Sequence, residues 1–275
     1  MDGLEYGLSV RSAGTFSCPV RFGNIMAMIG SIGLLVLLLR LYRSRREQII
    51  YIAATLLVIF GLYTSTTRGA MLAYLVTIIL IMLVVFRAKG IVLSLGIIFL
   101  AALAVLIVPF MREKLFETIF QWNDPSTSFG WRFVLWRESW KVFMENPLLG
   151  VGFMNLSEYF KPLRNYGVAH AHNNFLQILG EHGIIGFIAI SMLYIRLAVE
   201  QVAGVLKKNG FALMGLSLSV VLFVAGITEY CVFDSEICML FWFMSGMLIA
   251  AQQSTMGENV QSQRQLLPEG ETGRL

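Results

Sequence analysis

The sequence predicts an all-α, polytopic membrane helix bundle of about seven spans, with a long outer loop that carries an amphipathic surface helix. Three observations lead there. Hydrophobic residues make up 57% of the chain and charged residues 14%, with a mean hydropathy of +0.71. Soluble domains hold about 45–50% apolar and about 25% charged residues. The apolar residues also collect in runs of roughly twenty, the length of helix that crosses a hydrocarbon core of about 30 Å. Finally, the basic residues gather in alternate turns, as the positive-inside rule requires of a bundle with one orientation.

The opening Met1-Asp2-Gly3-Leu4-Glu5 lacks the basic and apolar regions of a signal peptide, and a polar lead precedes the first span. That span runs from about Phe22 to Leu41. Arg40, Arg43, Arg45 and Arg46 form a basic turn. A second span, about Ile49 to Tyr63, ends in Thr64-Ser65-Thr66-Thr67-Arg68. The third covers Gly69–Phe86, followed by Arg87 and Lys89, and the fourth about Ile91–Phe110. A long polar stretch, about Met111 to His172, separates these from a fifth span within Phe175–Val199. The sixth lies in about Phe211–Tyr230 after Lys207 and Lys208, and the seventh in about Glu236–Ala251. The membrane domain therefore occupies residues 1–251, and the polar tail 252–275 reads as disordered and cytoplasmic.

The basic turns, with Arg264 and Arg274 of the tail, fall on the cytoplasmic side. The 111–172 loop, the Thr64–Arg68 turn and the Tyr230–Glu236 turn then share the outer face, with an outer N-terminus. Within the loop, Phe133, Trp136, Trp140, Phe143 and Met144 follow helical spacing between Arg132 and Glu145. Tryptophans on such a stripe suit the headgroup region. Asn146-Pro147 stops this helix, and Gly150 and Gly152 permit a tight path onward.

Several function classes drop out. Cys18, Cys231 and Cys238 lack CxxC or Cys/His metal spacing. Cys231 and Cys238 either meet across a short turn or sit as small apolar residues at helix ends. No basic, aromatic-interleaved patch suggests nucleic acid, and no outer carboxylate pair asks for a metal or other cofactor.

What remains is concentrated in His170-Ala171-His172-Asn173-Asn174, followed by Gln177, Glu181, His182 and Gly183. All three histidines of the chain lie here, where polar sequence meets apolar. Asn173 or Asn174 suits an N-cap, and Asn174 with Gln177 has capping-box spacing. His170 and His172 then stand just outside the positive end of a helix, which favours a neutral imidazole and a nearby anion. A neutral imidazole suits proton transfer. The plainer reading is an interfacial cap whose histidines only satisfy loop carbonyls.

Arg68, at the outer end of a span, either snorkels to the interface or offers a guanidinium fork to phosphate. Arg132 and Arg137 are solvated helix charges or, for Arg132 on the Trp136 face, a second phosphate contact. Arg11 and Arg21 are weaker candidates. Glu181 shares a face with Asn174 and Gln177, where it orients a histidine or caps a neighbouring helix. Glu229, Asp234 and Glu236 lie on the last outer turn and can balance the arginines, without any indication of which pairs with which. Arginines and histidines on one face of a membrane bundle describe a site for an anionic, lipid-linked substrate.

These residues also resemble a family. Thr67-Arg68-Gly69-Ala70 looks like the Ser-Arg-Gly-Ala signature of the O-antigen ligase and O-antigen polymerase superfamily. Gly130-Trp131-Arg132-Phe133-Val134-Leu135-Trp136 is similar to its Gly-x-Arg-x-x-x-Trp element, and Asn146-Pro147-Leu148-Leu149-Gly150-Val151-Gly152 to the Pro-Leu-x-Gly-x-Gly turn after it. His172-Asn173 through Glu181-x-Gly183 and Gly186 matches the His-Asn…Glu-x-Gly-x-x-Gly element, and Arg11-x-x-Gly14-Thr15-Phe16 is a fainter match. The four main pieces stand in order and cover about residues 60–190.

The resemblance implies a bacterial inner-membrane glycosyltransferase whose active face is periplasmic. Such an enzyme moves a glycan from undecaprenyl diphosphate to an acceptor hydroxyl, on lipid A–core or another glycan or protein, without nucleotide sugar, metal or cofactor. Carried over by position, Arg68 and Arg132 hold the diphosphate and His172 is the base. His170 has no counterpart there and assists; Asn173 and Glu181 belong to the substrate-binding set. Family members usually carry more spans than the seven read here, so the resemblance implies an N-terminally shortened member. The alternatives are a polymerase of the same superfamily, a lipid-linked sugar transporter, or an inactive truncated remnant. A transporter asks for polar residues lining several spans, which the first four almost lack.

Overall fold

The computed structural model describes residues 12–163 and 170–265. Arg11 and the end of the tail, residues 266–275 with Arg274, lie outside them. Ten α-helices account for the described chain: α1 Pro19–Leu38, α2 Arg45–Ser65, α3 Arg68–Phe86, α4 Ala88–Ile107, α5 Pro109–Phe120, α6 Ser128–Glu145, α7 Leu156–Phe160, α8 Asn174–Leu206, α9 Gly210–Ala225 and α10 Ser235–Gln265. Six of these, α1–α4, α8 and α10, are long and apolar enough to cross a bilayer. The sixth predicted span contains α9, a shorter apolar helix whose 16 residues measure about 24 Å at the helical rise. The chain is a polytopic helical membrane protein.

Polar side chains fix where these helices begin. Ser44 accepts from the backbone N–H of Glu47, and the Glu47 carboxylate accepts from the N–H of Arg43 at 2.6 Å. Thr127 caps α6 by accepting from Gly130 N–H at 3.0 Å, and Asn209 caps α9 through Phe211 and Ala212 N–H. Pro109 has no N–H to donate and ends the fourth span at Ile107, short of the expected Phe110; the chain re-enters a helix as α5.

Helices α1, α3 and α9 form the centre of the bundle, with α2 along α1, α4 along α3, and α8 and α10 along α9. Met28, Leu35, Ile81, Leu218, Ile237 and Phe241 are fully buried among them. The faces turned away are apolar too: Leu57, Phe60, Val92, Leu95 and Phe99 are exposed, the pattern of helices solvated by lipid. Arg21 of α1 pairs with Asp234 and with Glu236, 3.4 Å away, and so ties α1 to the start of α10. Cys18, Cys231 and Cys238 are free thiols.

The described part of the loop between α4 and α8 packs around a core of its own. A small core of Leu135, Val142, Leu156, Phe160 and Ala171 joins α6 and α7 to the start of α8. Gly183 makes that joint possible. It interrupts α8 with φ +61°, and a Cβ there would stand 2.3 Å from the carbonyl oxygen of Leu148, so the loop packs against bare backbone.

The tail departs from expectation. Instead of becoming disordered after Ala251, α10 continues to Gln265. Gln252 is buried at the far end of the bundle, and Thr255 accepts a 2.9 Å hydrogen bond from Asn209 Nδ2. The packing of α9 holds a segment whose composition alone favours disorder.

Candidate active site

Asn173 and Asn174 assemble the site. Asn173 is the N-cap of α8: its Oδ1 accepts from Phe175 and Leu176 N–H at 2.9 and 3.0 Å. Its Nδ2 donates to the carbonyl of Ile227 at 2.9 Å. Asn174 donates its backbone N–H to Gly226 O, and its Oδ1 accepts from Cys231 and Val232 N–H. Both asparagines thus grip the turn between α9 and α10, and that turn carries Glu229.

Glu229 is the hub. Its Oε1 pairs with Arg132 Nη2, and its Oε2 lies 3.0 Å from His172 Nδ1. Burial works to raise the Glu229 carboxyl; the hydrogen bond from His172 and the charge of Arg132 outweigh it, and the group titrates below the usual carboxylate range. An ionised Glu229 makes Nδ1 the protonated nitrogen of neutral His172, which leaves Nε2 as the proton acceptor.

His172 occupies the left-handed region at φ +49°, which non-glycine residues enter rarely. Its carbonyl accepts from Trp136 Nε1 at 3.4 Å. The His170 ring sits 4.3 Å from that of His172 and stacks on Tyr230 at 5.3 Å. Burial, with the neighbouring His172, lowers the His170 pKa to about 4, against an opposing pull from Glu229. His170 is therefore neutral at pH 7.

This depression has a sign that can be checked. Below pH 6.5 the unfolded chain protonates this histidine, while the folded chain holds it neutral down to about 4. Its stabilising effect is complete above 6.5 and is lost as the pH falls toward 4. Thermal unfolding in detergent should drop between pH 7 and pH 5, and His170→Phe should shrink that drop.

Arg132 and His172 border a cavity of about 340 Å³ whose remaining wall is Pro125–Ser128 and Trp131. Arg68 begins α3 and donates to Thr118 Oγ1 of α5 at 3.2 Å; it does not line this cavity. Its neighbour Gly69 lies against the Glu229 turn, where a Cβ would stand 2.6 Å from Thr228 Oγ1 and 3.7 Å from Glu229 Cγ. Glycine next to Arg68 is what lets α3 start this close to the acid. Among the described residues, no group of three or more His, Cys, Asp and Glu side chains is arranged to hold a metal ion.

A family model described as O-antigen ligase matches residues 53–191, just over half of the 275-residue chain. The chain belongs to the O-antigen ligase family. No curated protein matches it in sequence. The stretch matched to the O-antigen ligase family contains Arg68, Arg132, His170, His172 and Glu181, while Glu229 and Tyr230 lie beyond it.

The site residues read from the sequence separate into three groups, one of them Arg68 alone, which bonds Thr118 away from the cavity. Arg132, His170 and His172 come together. Asn173 and Glu181 are buried and support from behind. Asn173, rather than Asn174, is the cap. Glu181 does not touch a histidine: its Oε1 accepts from Gln177 Nε2 at 2.8 Å, and its carboxylate faces the backbone N–H groups of Met154 and Leu156 at the start of α7. Gln177 Oε1 in turn accepts from the N–H of Ala171, between the two histidines, at 2.7 Å. Arg137 is exposed on α6. The pairing of Glu229 with both Arg132 and His172, and the stacking of Tyr230, are the features sequence reasoning left unresolved; the three acids of the last outer turn signalled a partner for the arginines without choosing it.

Proposed function

We propose that the chain is a metal-independent glycan ligase, which moves a glycan from undecaprenyl diphosphate to an acceptor hydroxyl on lipid A–core. The observation that carries this reading is the His172–Glu229–Arg132 network beside the 340 Å³ cavity. The acceptor oxygen attacks the anomeric carbon, and its proton passes to Nε2 of His172 as the bond from that carbon to the phosphate oxygen breaks. Undecaprenyl diphosphate leaves with the electron pair, and Arg132 and Arg68 stabilise the charge it carries. Glu229 holds His172 in the tautomer that can accept. The indoles of α6 cover the junction and keep out water that would hydrolyse the donor.

The same reading sets the site on the periplasmic face of the inner membrane. The basic turns at Arg40–Arg46, Arg87–Lys89 and Lys207–Lys208 then face the cytoplasm, as does the C-terminus.

Complementation of a ligase-deficient strain tests it. Arg132→Ala and Arg68→Ala should each lower attached glycan on the order of 10²–10³-fold at unchanged membrane levels, the loss typical of one transition-state charge contact. Equal attachment by the parent and both variants would refute the assigned roles. A deletion that leaves single repeat units in place of unattached polymer would assign the polymerase reaction instead.

A further inference from the structure

From His172 a continuous row of rings leads away from the Arg132 cavity. His170 stacks on Tyr230 with 24° between planes. Tyr230 lies 6.4 Å from Phe233, which stacks on His182 at 28° and meets Phe153 edge-on at 5.5 Å. Tyr230, Phe233 and His182 are half-buried, and Phe153 at the end is 54% exposed. None of these rings lines the cavity, which His172 shares. Among the described residues, His170 Nδ1 is buried with no hydrogen-bond partner, which leaves a polar atom at the inner end of the row.

The chemistry that fits is a sugar ring. Its C–H face is electropositive and apolar, and it matches the negative face of an aromatic ring, while its hydroxyls hydrogen-bond at the ring edges. Position decides which sugar. A hydroxyl that gives its proton to His172 must come within hydrogen-bond reach of that imidazole. Its pyranose then covers the rings beside His172, of which His170 is nearest at 4.3 Å. The donor diphosphate occupies the arginine side.

We propose that His170, Tyr230, Phe233, His182 and Phe153 form a stacking platform for the acceptor's sugar rings, oriented so that its hydroxyl meets His172. This rests on the transferase reading for the choice of acceptor over donor.

The test is saturation-transfer NMR on the full chain in nanodiscs, irradiating aromatic protons, with delipidated lipopolysaccharide core oligosaccharide as the probe. The parent should transfer saturation to the ring C–H protons of the sugar. Phe153→Leu should weaken binding about tenfold with unchanged thermal unfolding, and Phe153→Trp should restore it. His172→Asn should bind as the parent does while failing to transfer. Binding by a parent that transfers nothing would overturn the ligase function and leave the platform standing. The platform is overturned if the leucine variant binds like the parent, if the parent does not bind the probe, or if only a free donor repeat unit binds.

Discussion

Replacing His172 with asparagine should lower glycan transfer about 10²- to 10⁴-fold, the usual contribution of a positioned base, and leave the protein folded. Asparagine is the informative substitute because the position sits at φ +49°. Asparagine tolerates the left-handed region, whereas alanine adds a backbone penalty of about 1–2 kcal/mol that would blur the reading. The asparagine amide still hydrogen-bonds to Glu229 but has no lone pair basic enough to take a hydroxyl proton. Transfer measured with purified protein and a lipid-linked donor decides the point. Activity within tenfold of the parent, at equal protein, would remove His172 from the chemistry.

The second large effect is expected at Glu229, where stability and activity should fall together. Its side chain is only 5% exposed, and Arg132 opposite is 16% exposed. Glu229→Ala leaves that guanidinium unpaired in a poorly solvated place, a change that typically costs about 3–5 kcal/mol, and it frees His172 Nδ1 as well. Glu229→Gln keeps the shape but can donate or accept, so it no longer selects the tautomer of His172. Its transfer rate should fall about 10²- to 10⁴-fold with a smaller loss of stability. A double variant, Glu229→Gln with Arg132→Met, should be more stable than the sum of its single variants implies, because it removes both charges. Additive losses would mean that the ion pair contributes nothing. The depressed carboxyl also sets a pH limit. The stability it gives is complete above the ordinary carboxylate value of 4.5 and is lost as the pH falls through its lower folded value.

Much of the architecture was legible because membrane helices are specified by composition and length. Burying backbone polar groups in lipid leaves the helix as the available form, so a twenty-residue apolar run determines its own structure. The surface helix was legible for a related reason: the stripe from Phe133 to Met144 has one period, and α6 extends it by one turn, Ser128–Trp131, behind the cap at Thr127. The features that sequence misjudged are mostly those that tertiary packing decides. The ordered turns after Ala251 depend on what lies alongside, whereas the break at Pro109 is local to the proline. The capping residue was narrowed to two neighbours, and only the position of the α9–α10 turn explains why Asn173 caps while Asn174 reaches across. The site followed the same division. Arg132 and the histidines announced themselves by residue type and by their place at a membrane end. Three acids on the last turn were equivalent on paper, and 57 residues separate His172 from Glu229, too far for any local pattern to choose the partner.

The small core beneath α6 and α7 is distinct from the core of the bundle, and this separation has an energetic consequence. A small cluster of five buried side chains is the kind of unit expected to open at a fraction of the free energy that unfolds the whole. Arg132 stands on α6 and so belongs to the smaller unit, while Glu229 stands on the α9–α10 turn that the asparagines hold to the bundle. On the proposed function, the charge that would meet a departing diphosphate is thus mounted on the smaller unit, and its acid partner on the bundle. On that reading, such a division would let a spent carrier lipid leave without dismantling the bundle that holds the acid for the next turnover.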